Sequence, residues 1–270
     1  MNTPTDLLNL DGQVAFVTGA GQGVGQGIAQ MLAGHGASVV VNDYVEERAR
    51  SVAEAIVHSG GKAVGIQGDV TDYESVARMF TQAAEHFGKV DILVNNAGNA
   101  GVSQGSGGDH RGERKPFWET DPAEWKRYLS VNLDGVMNCC RHALPGMVQR
   151  QHGRIVTIIS DAGRAGEGNG LEAYSAAKAG AAGLSRGIAR SVGRHGITVN
   201  NVAIAATNTP AIAAALGNPE FMKRALAQYV VRRVGEPTDI AAMVLFLASG
   251  ASSWITGQTY PVNGGFSFAM

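Results

Sequence analysis

Residues 14–32 read VAFVTGAGQGVGQGIAQML. An apolar, β-branched run, Val14–Thr18, gives way to a glycine-dense turn and then to a stretch at helical spacing, 24–34. Gly19, Gly21, Gly23, Gly25 and Gly27 never fall at i, i+2, i+5, so the generic G-x-G-x-x-G fingerprint is absent. They spell T-G-x-x-x-G-x-G instead, as Thr18-Gly19, Gly23 and Gly25. The physics is shared: glycines let the backbone turn sharply and approach a pyrophosphate, and the following helix offers N–H groups and a positive dipole end. Alternating glycines would otherwise only weaken that helix. A P-loop is excluded, because G-x4-G-K-[ST] is missing and Lys62 is followed by Ala63.

The same strand-then-helix rhythm continues outward. Strand-like runs occur at Ser38–Asn42, Ala63–Gln67, Ile92–Val94, Arg154–Ile159, Thr198–Val202 and Gln258–Pro261. Helical stretches fall near 46–59, 73–87, 121–150, 173–194 and 237–249; in the first, Val45, Ala49, Val52, Ala53 and Ile56 share a face. Short strands that are apolar on both faces suit a doubly covered parallel sheet. The expectation is an α/β, single-domain, Rossmann-type doubly wound parallel sheet of about seven strands, helices on both faces, spanning 1–270. No repeat, low-complexity linker or composition break marks a second domain. One segment, 99–115, is polar, glycine-rich and long for a strand-to-helix loop.

Bulk numbers narrow the function. Of 270 residues 37 are Gly, about double the usual share. Hydrophobic residues at 44% and charged residues at 17% describe a globular chain, and this length buries a core without disulfides. A formal charge of -1 with no basic stripe argues against nucleic acid. The longest apolar run, Ile240–Ala248, is too short to span a membrane. The opening residues MNTPTDLLNLDG carry no signal-peptide pattern, and the only cysteines are the neighbours Cys139 and Cys140. A reducing, cytoplasmic setting is therefore expected. The seven His form no HxxxH or HxH pair, so no metal site is expected.

The second strand run closes as VVVND. Asp43, 24 residues after Gly19, stands near where an acid accepts from a ribose 2′-OH. A carboxylate there would repel a 2′-phosphate, and position 22 is Gln rather than a base, so NAD is expected over NADP. In EAYSAAKAG, Tyr174 and Lys178 are i and i+4 and share a helix face. A Tyr acting as base near neutrality needs its pKa lowered by roughly 3 pH units, about 4 kcal/mol. A cation one turn away and a positive nicotinamide ring could supply much of that. Upstream, RIVTIISDAG ends a strand run at Ser160, the sheet edge where such folds bind ligands. Asn132, in SVNLDG, lies inside a long helical stretch where Asn is mildly unfavourable. Taken singly, Ser160 reads as a turn residue and Asn132 as a packing or helix-kinking one.

Taken together, these motifs resemble the short-chain dehydrogenase/reductase family, in its short single-domain branch, from about Leu10 to Gly265. The match includes the Thr18–Gly25 turn, Asp69-Val70, NNAG at Asn95–Gly98, Asn132, Ser160, Tyr174, Lys178 and TGQTYPVNGG near the end. The resemblance implies Tyr174 as general acid/base, Lys178 lowering its pKa and binding the nicotinamide ribose, Ser160 polarising the substrate oxygen, and Asn132 holding a relay water. The implied cofactor set is Gly19, Gln22, Gly23, Val24, Gly25, Asp43, Asp69, Val70, Asn96, Ala97, Gly98, Tyr174, Lys178, Thr207 and Thr209. Within it, Asp69 and Val70 would meet the adenine, Asn96 to Gly98 the adenosine-ribose side, and Thr207 and Thr209 the nicotinamide carboxamide and phosphates. The resemblance also implies a homotetramer, or a homodimer, with the helices near 121–150 and 173–194 at one interface.

Three features depart from the family pattern. Ser160 and Tyr174 are 14 residues apart where 13 is commoner, which puts one extra residue among Gly166–Leu171. Ile204-Ala205 replaces the usual Pro-Gly after the sixth strand, and the 99–115 loop is longer than usual. The expected reaction is hydride transfer between NAD(H) and a secondary alcohol or ketone, on an alicyclic, sterol-type or acyl-CoA hydroxy substrate. The loop cations Arg111, Arg114 and Lys115 could meet an anionic group such as a CoA phosphate, but a solvated loop face is the reading to prefer. A non-enzymatic NAD sensor keeping the fold is the alternative, and the intact Asn132/Ser160/Tyr174/Lys178 set argues against it. Lyase or epimerase chemistry in relatives usually brings a substrate domain that is missing here.

Overall fold

The computed structural model describes residues 7–100, 115–168, 170–213 and 217–268. Seven parallel strands form one sheet: β1 (Val14–Val17), β2 (Ser38–Asp43), β3 (Lys62–Gln67), β4 (Ile92–Asn95), β5 (Gly153–Ser160), β6 (Ile197–Ile204) and β7 (Thr259–Val262). Their order is β3-β2-β1-β4-β5-β6-β7, so the winding reverses between β1 and β4. The carboxyl ends on either side of that reversal form the crevice where open α/β sheets bind ligands.

Alternation along the strands explains why two layers of helices are needed. In β1, Ala15 and Val17 join one apolar cluster while Phe16 joins the other; in β2, Val39 and Val41 oppose Val40 in the same way. One face is covered by α1 (Gly23–Gly34), α2 (Glu46–His58) and α9 (Pro237–Ala248). The other is covered by α3 (Tyr73–Phe87), α5 (Gly135–Arg150) and α7 (Glu172–Val192). Gly27 brings α1 against α9, since a Cβ there would sit 2.8 Å from Pro237 Cβ. Only the inner strands are apolar on both faces. The edge strand β3 exposes Lys62 and Gln67, and β7 is half-buried throughout.

Local chemistry sets the helix ends. Asp72 accepts from the Glu74 N–H ahead of α3, which stops at Gly88 with φ 78°. Glu236 and Asp239 form a reciprocal capping box at α9.

Several elements differ from the sequence expectation. The stretch 121–150 is not one helix: α4 (Pro122–Leu129) passes into a π-turn, Ser130–Asp134, and then α5. The Gly135 N–H reaches back five residues to Ser130 O. Strand β7 runs one residue later than expected, and Thr18 lies just past β1. The short helices α6 (Ala162–Ala165) and α8 (Pro219–Ala227) lack the long periodic pattern by which the others were legible. Of the 99–115 loop, residues 101–114, with Arg111 and Arg114, lie outside the described residues. Among those described, no helix is long and apolar enough to cross a membrane.

Candidate active site

The glycine turn closes on β4 through Thr18. Its buried Oγ accepts from the N–H groups of Asn96 (2.9 Å) and Ala97 (3.0 Å) and donates to Val94 O (3.3 Å). Asn96 returns the contact, Nδ2 donating to the carbonyls of Thr18 and Gly19, each at 2.9 Å. Gly19 has φ +59°, and a Cβ there would come within 2.9 Å of Ala97 Cα. Gly25 faces the Gly19 carbonyl and Asn96 Nδ2 too closely for any side chain. Gln22 takes an extended conformation before α1 and supplies no side-chain cap. Protein side chains therefore leave the N–H groups of that first turn to a ligand. Gly23 opens the helix against Thr209, and Val24 is buried behind it.

Asp43 ends β2 with only 7% of its surface exposed. One carboxylate oxygen accepts from the Gly21 N–H at 3.1 Å, the other from the Val45 N–H at 3.0 Å. The acid is thus fixed beside the turn, as the 24-residue spacing predicts. Asp69 and Val70 follow β3; Asp69 Oδ1 accepts from Thr71 N and Oγ1, and Val70 O accepts from Asn138 Nδ2. Thr207 and Thr209 follow β6, the Thr207 hydroxyl donating to Ala205 O at 3.1 Å. The Ile204-Ala205 replacement has a simple consequence: β6 stays paired to its end, Ser160 opposite Ile204.

Ser160 is the last residue of β5, and its Oγ accepts from the Ala162 N–H at 3.2 Å. Its hydroxyl also lies near enough to the Tyr174 phenol, at the start of α7, to oppose the rise that burial imposes on the phenol's pKa. Lys178, one turn further, is buried; its Nζ donates to Ile158 O at 2.9 Å and lies 5.9 Å from the Tyr174 ring centre. Burial lowers the Lys178 pKa to about 8.

Without a dinucleotide beside it, burial pushes Tyr174 up to about 12, the Ser160 hydroxyl opposes that rise, and Glu167 adds to it.

Asn132 is fully buried in the π-turn. Its Nδ2 donates to Asn99 O (2.9 Å) and Tyr128 O (3.0 Å), and its Oδ1 accepts from the Asn99 N–H at 3.2 Å. The side chain thus satisfies a carbonyl of the irregular turn, the physical reason for an Asn inside a helical stretch. Asn132 Oδ1 and Lys178 Nζ both flank Gly98, at 3.1 and 3.2 Å from where its Cβ would lie. The sequence reading gave no role to Tyr128, whose ring meets Tyr174 edge-on at 6.3 Å, or to Ser175. The Ser175 Oγ accepts from Glu167 N and donates to Glu167 O, pinning the loop with the extra residue onto α7.

Comparison with known proteins agrees with this geometry. Residues 19–267 match a family model described as enoyl-(acyl carrier protein) reductase. The chain is 39% identical over 256 residues to cis-4-hydroxycyclohexanecarboxylate dehydrogenase of Sinomonas cyclohexanicum, covering 94% of this chain and 96% of that protein. Its structure resembles that of a 7α-hydroxysteroid dehydrogenase complexed with NADH and 7-oxo glycochenodeoxycholic acid (TM-score 0.88, 36% identity, 98% of each chain). It also resembles a gluconate 5-dehydrogenase from Burkholderia cenocepacia J2315 in complex with NADP and tartrate (TM-score 0.89, 30% identity, 99% and 100% covered). A likeness that runs nearly end to end in both sequence and fold establishes that this chain belongs to the short-chain dehydrogenase/reductase family, as an oxidoreductase of the alcohol dehydrogenase and ketoreductase kind.

Proposed function

We propose that the chain moves a hydride between NAD(H) and a secondary alcohol or ketone, with Tyr174 as general acid/base. The observation that carries this reading is the gathering of Ser160 at the carboxyl end of β5, Tyr174 near the start of α7 and buried Lys178 one turn on, its Nζ on Ile158 O and 5.9 Å from the Tyr174 ring centre. A dinucleotide fits the turn, because Gly19 and Gly25 leave no room for side chains and Gln22 does not cap α1. Gly19, Gln22, Gly23, Val24 and Gly25 would hold the pyrophosphate, Asp43 the adenosine ribose, and Asp69, Val70, Asn96, Ala97 and Gly98 the adenine side. Thr207 and Thr209 would hold the nicotinamide end. Bound there, the nicotinamide ring accepts or donates the hydride.

The chain's own residues do the rest. Ser160 donates to the substrate oxygen and fixes it beside the Tyr174 hydroxyl. With its pKa near 12, Tyr174 is protonated at neutral pH and suits donating to a forming alkoxide in the reductive direction. In the oxidative direction it must lose its proton first, so that rate rises with pH. Lys178, protonated below about pH 8, places a cation beside the ribose site. Asn132 Oδ1, flanking the same point as Lys178 Nζ, supports a relay water between them.

Asp43 would favour NAD over NADP, since a buried carboxylate held beside the glycine turn would repel a 2′-phosphate. An alicyclic secondary alcohol is the favoured substrate class, by likeness to the relatives. The resemblance further supports a cytoplasmic homotetramer, or a homodimer, through α5 and α7, which sedimentation in solution tests. The deciding experiment assays a panel of secondary alcohols and CoA thioesters for NADH production, with NADP in parallel. Tyr174→Phe should abolish turnover while retaining NAD binding; unchanged turnover would overturn the assignment. A higher specificity constant with NADP would overturn the cofactor preference.

A further inference from the structure

The residue after Ser160 has no part in the chemistry above, yet it is among the most enclosed acids in the chain. Asp161 is 3% exposed and lies beyond the end of β5, its N–H donating to Ile204 O at 3.0 Å. Three donors converge on its carboxylate. Arg164 Nη1 (2.7 Å) and Ser267 Oγ (2.9 Å) reach Oδ1, and Asn263 Nδ2 reaches Oδ2 at 2.7 Å. The partners are joined to one another. Arg164 Nη1 donates to Ser267 Oγ (2.8 Å), Arg164 Nη2 to Phe268 O (3.2 Å), and Asn263 Nδ2 to Ser267 O (2.9 Å).

The network closes a ring between the Ser160 strand end, the one-turn helix α6 and the segment after β7. Buried charge-assisted bonds of this kind are short and directional, so they fix geometry. That segment also reaches the nicotinamide side. Phe266 packs on Tyr229 at 5.6 Å, and the Tyr229 hydroxyl accepts from the Ala206 N–H at 3.1 Å, one residue before Thr207. Phe266 and Phe268 are otherwise exposed, at 40% and 73%. Segment 263–268 thus carries two exposed aromatic rings and is anchored by a buried acid adjacent to Ser160.

We propose that Asp161 is a positioning residue, whose carboxylate latches segment 263–268 beside Ser160 and makes it the fixed apolar wall that seats a bulky alcohol against the Ser160–Tyr174 pair. This rests on the proposed alcohol-dehydrogenase reading. An unlatched segment loses the wall for large substrates while leaving intact the glycine turn at the carboxyl end of β1, which shares none of these hydrogen bonds.

The test compares Asp161→Ala, Ser267→Ala and the double variant. Each is assayed with a small acyclic and a bulky alicyclic secondary alcohol, and NADH affinity is measured by fluorescence titration. Asp161→Ala should lower kcat/KM for the bulky alcohol about tenfold or more, mainly through KM, with a smaller loss for the small alcohol. NADH affinity should fall much less than kcat/KM for the bulky alcohol, since the latch meets the nicotinamide side only through Phe266, Tyr229 and Ala206. Ser267→Ala should move the same ratio in the same direction by less, and the double variant should be no worse than Asp161→Ala. Should Asp161→Ala not fold, Ser267→Ala alone carries the test through the bulky-to-small ratio. An equal loss for both alcohols, a parallel loss of NADH affinity, or multiplying effects would overturn the latch. If Tyr174→Phe retains turnover, the alcohol-dehydrogenase reading fails instead; if it does not and the bulky-to-small ratio is unmoved, only the latch fails.

Discussion

The two sides of the sheet's carboxyl edge are built differently. On the cofactor side, Thr18, Gly19, Asn96 and Asp43 lock onto main-chain groups: hydroxyl to N–H, amide to carbonyl, carboxylate to N–H. On the substrate side, main-chain contacts such as Lys178 Nζ to Ile158 O are joined by contacts between side chains from distant segments, as in Asp161 with Asn263 and Ser267. Backbone-directed bonds hold a turn to one shape whatever is bound beside it. Bonds between side chains from segments far apart can be rewired by single substitutions. Within one fold, the first arrangement suits a constant ligand and the second a variable one.

If that contrast is right, substitutions on the two sides should separate turnover from binding and stability. The largest effect is expected at Tyr174. Tyr174→Phe should reduce turnover between roughly 100-fold and 10,000-fold, the range of a general acid/base, with the NAD dissociation constant unchanged. Steady-state kinetics beside a fluorescence titration measure both.

Next comes Lys178, which sits between the two sides. It loses its proton near pH 8 in the fold but near about 10.4 in the unfolded chain. Between these values the unfolded chain binds more protons, so this group's contribution to stability rises with pH. Relative to Lys178→Met, the native protein should gain about 3 kcal/mol across that window. The comparison cancels the opposite trend from Cys139 and Cys140, whose thiols burial keeps protonated in the fold. Denaturant unfolding of both proteins at several pH values reads the difference; a flat difference would mean Lys178 is not held deprotonation-prone by burial.

Thr18→Val tests the cofactor side. It strips the acceptor from two N–H groups and should cost about 2 kcal/mol in chemical unfolding, with kcat nearly preserved at saturating NAD. A fall in kcat with no loss of stability would contradict the main-chain lock.

The smallest expected change is at Asp43. Removing one charge-assisted acceptor is worth about tenfold, so Asp43→Ala should narrow the NAD-to-NADP preference by that factor. It also unties Gly21 and Val45, so a modest drop in melting temperature should accompany the change.

Legibility in the sequence follows the same division. All seven strands are found within two residues at either end from β-branched runs, because a doubly covered sheet demands apolar residues on both faces. At the sheet edge that demand relaxes, and β7, half-buried, is read one residue early. Asp43 was legible because its partners, Gly21 and Val45, lie within a single β-α-β unit, where spacing fixes geometry; the turn was legible from its own glycines, although Thr18 is held by Asn96 and Ala97, 78 and 79 residues on. The π-turn at Asn132 was not, because its reason lies 33 residues away, in the backbone of Asn99.

The Ser160–Tyr174–Lys178 set stands between these cases. Its residues were named from local spacing, but their electrostatics depended on burial. The helix places Lys178 one turn from Tyr174, yet only the packed fold shows Nζ donating to Ile158 O and Tyr174 held high rather than low. Asp161 was quoted in a motif and passed over, since its three partners lie 3, 102 and 106 residues on. Period and spacing are properties of the chain near itself, so sequence alone was enough for the sheet, the glycine turn and the choice of Ser160, Tyr174 and Lys178 as candidates. Desolvation and long-range hydrogen bonds exist only once distant segments meet, so the proton affinity of Tyr174, the bend at Asn132 and the wall behind Ser160 were decided by the tertiary structure.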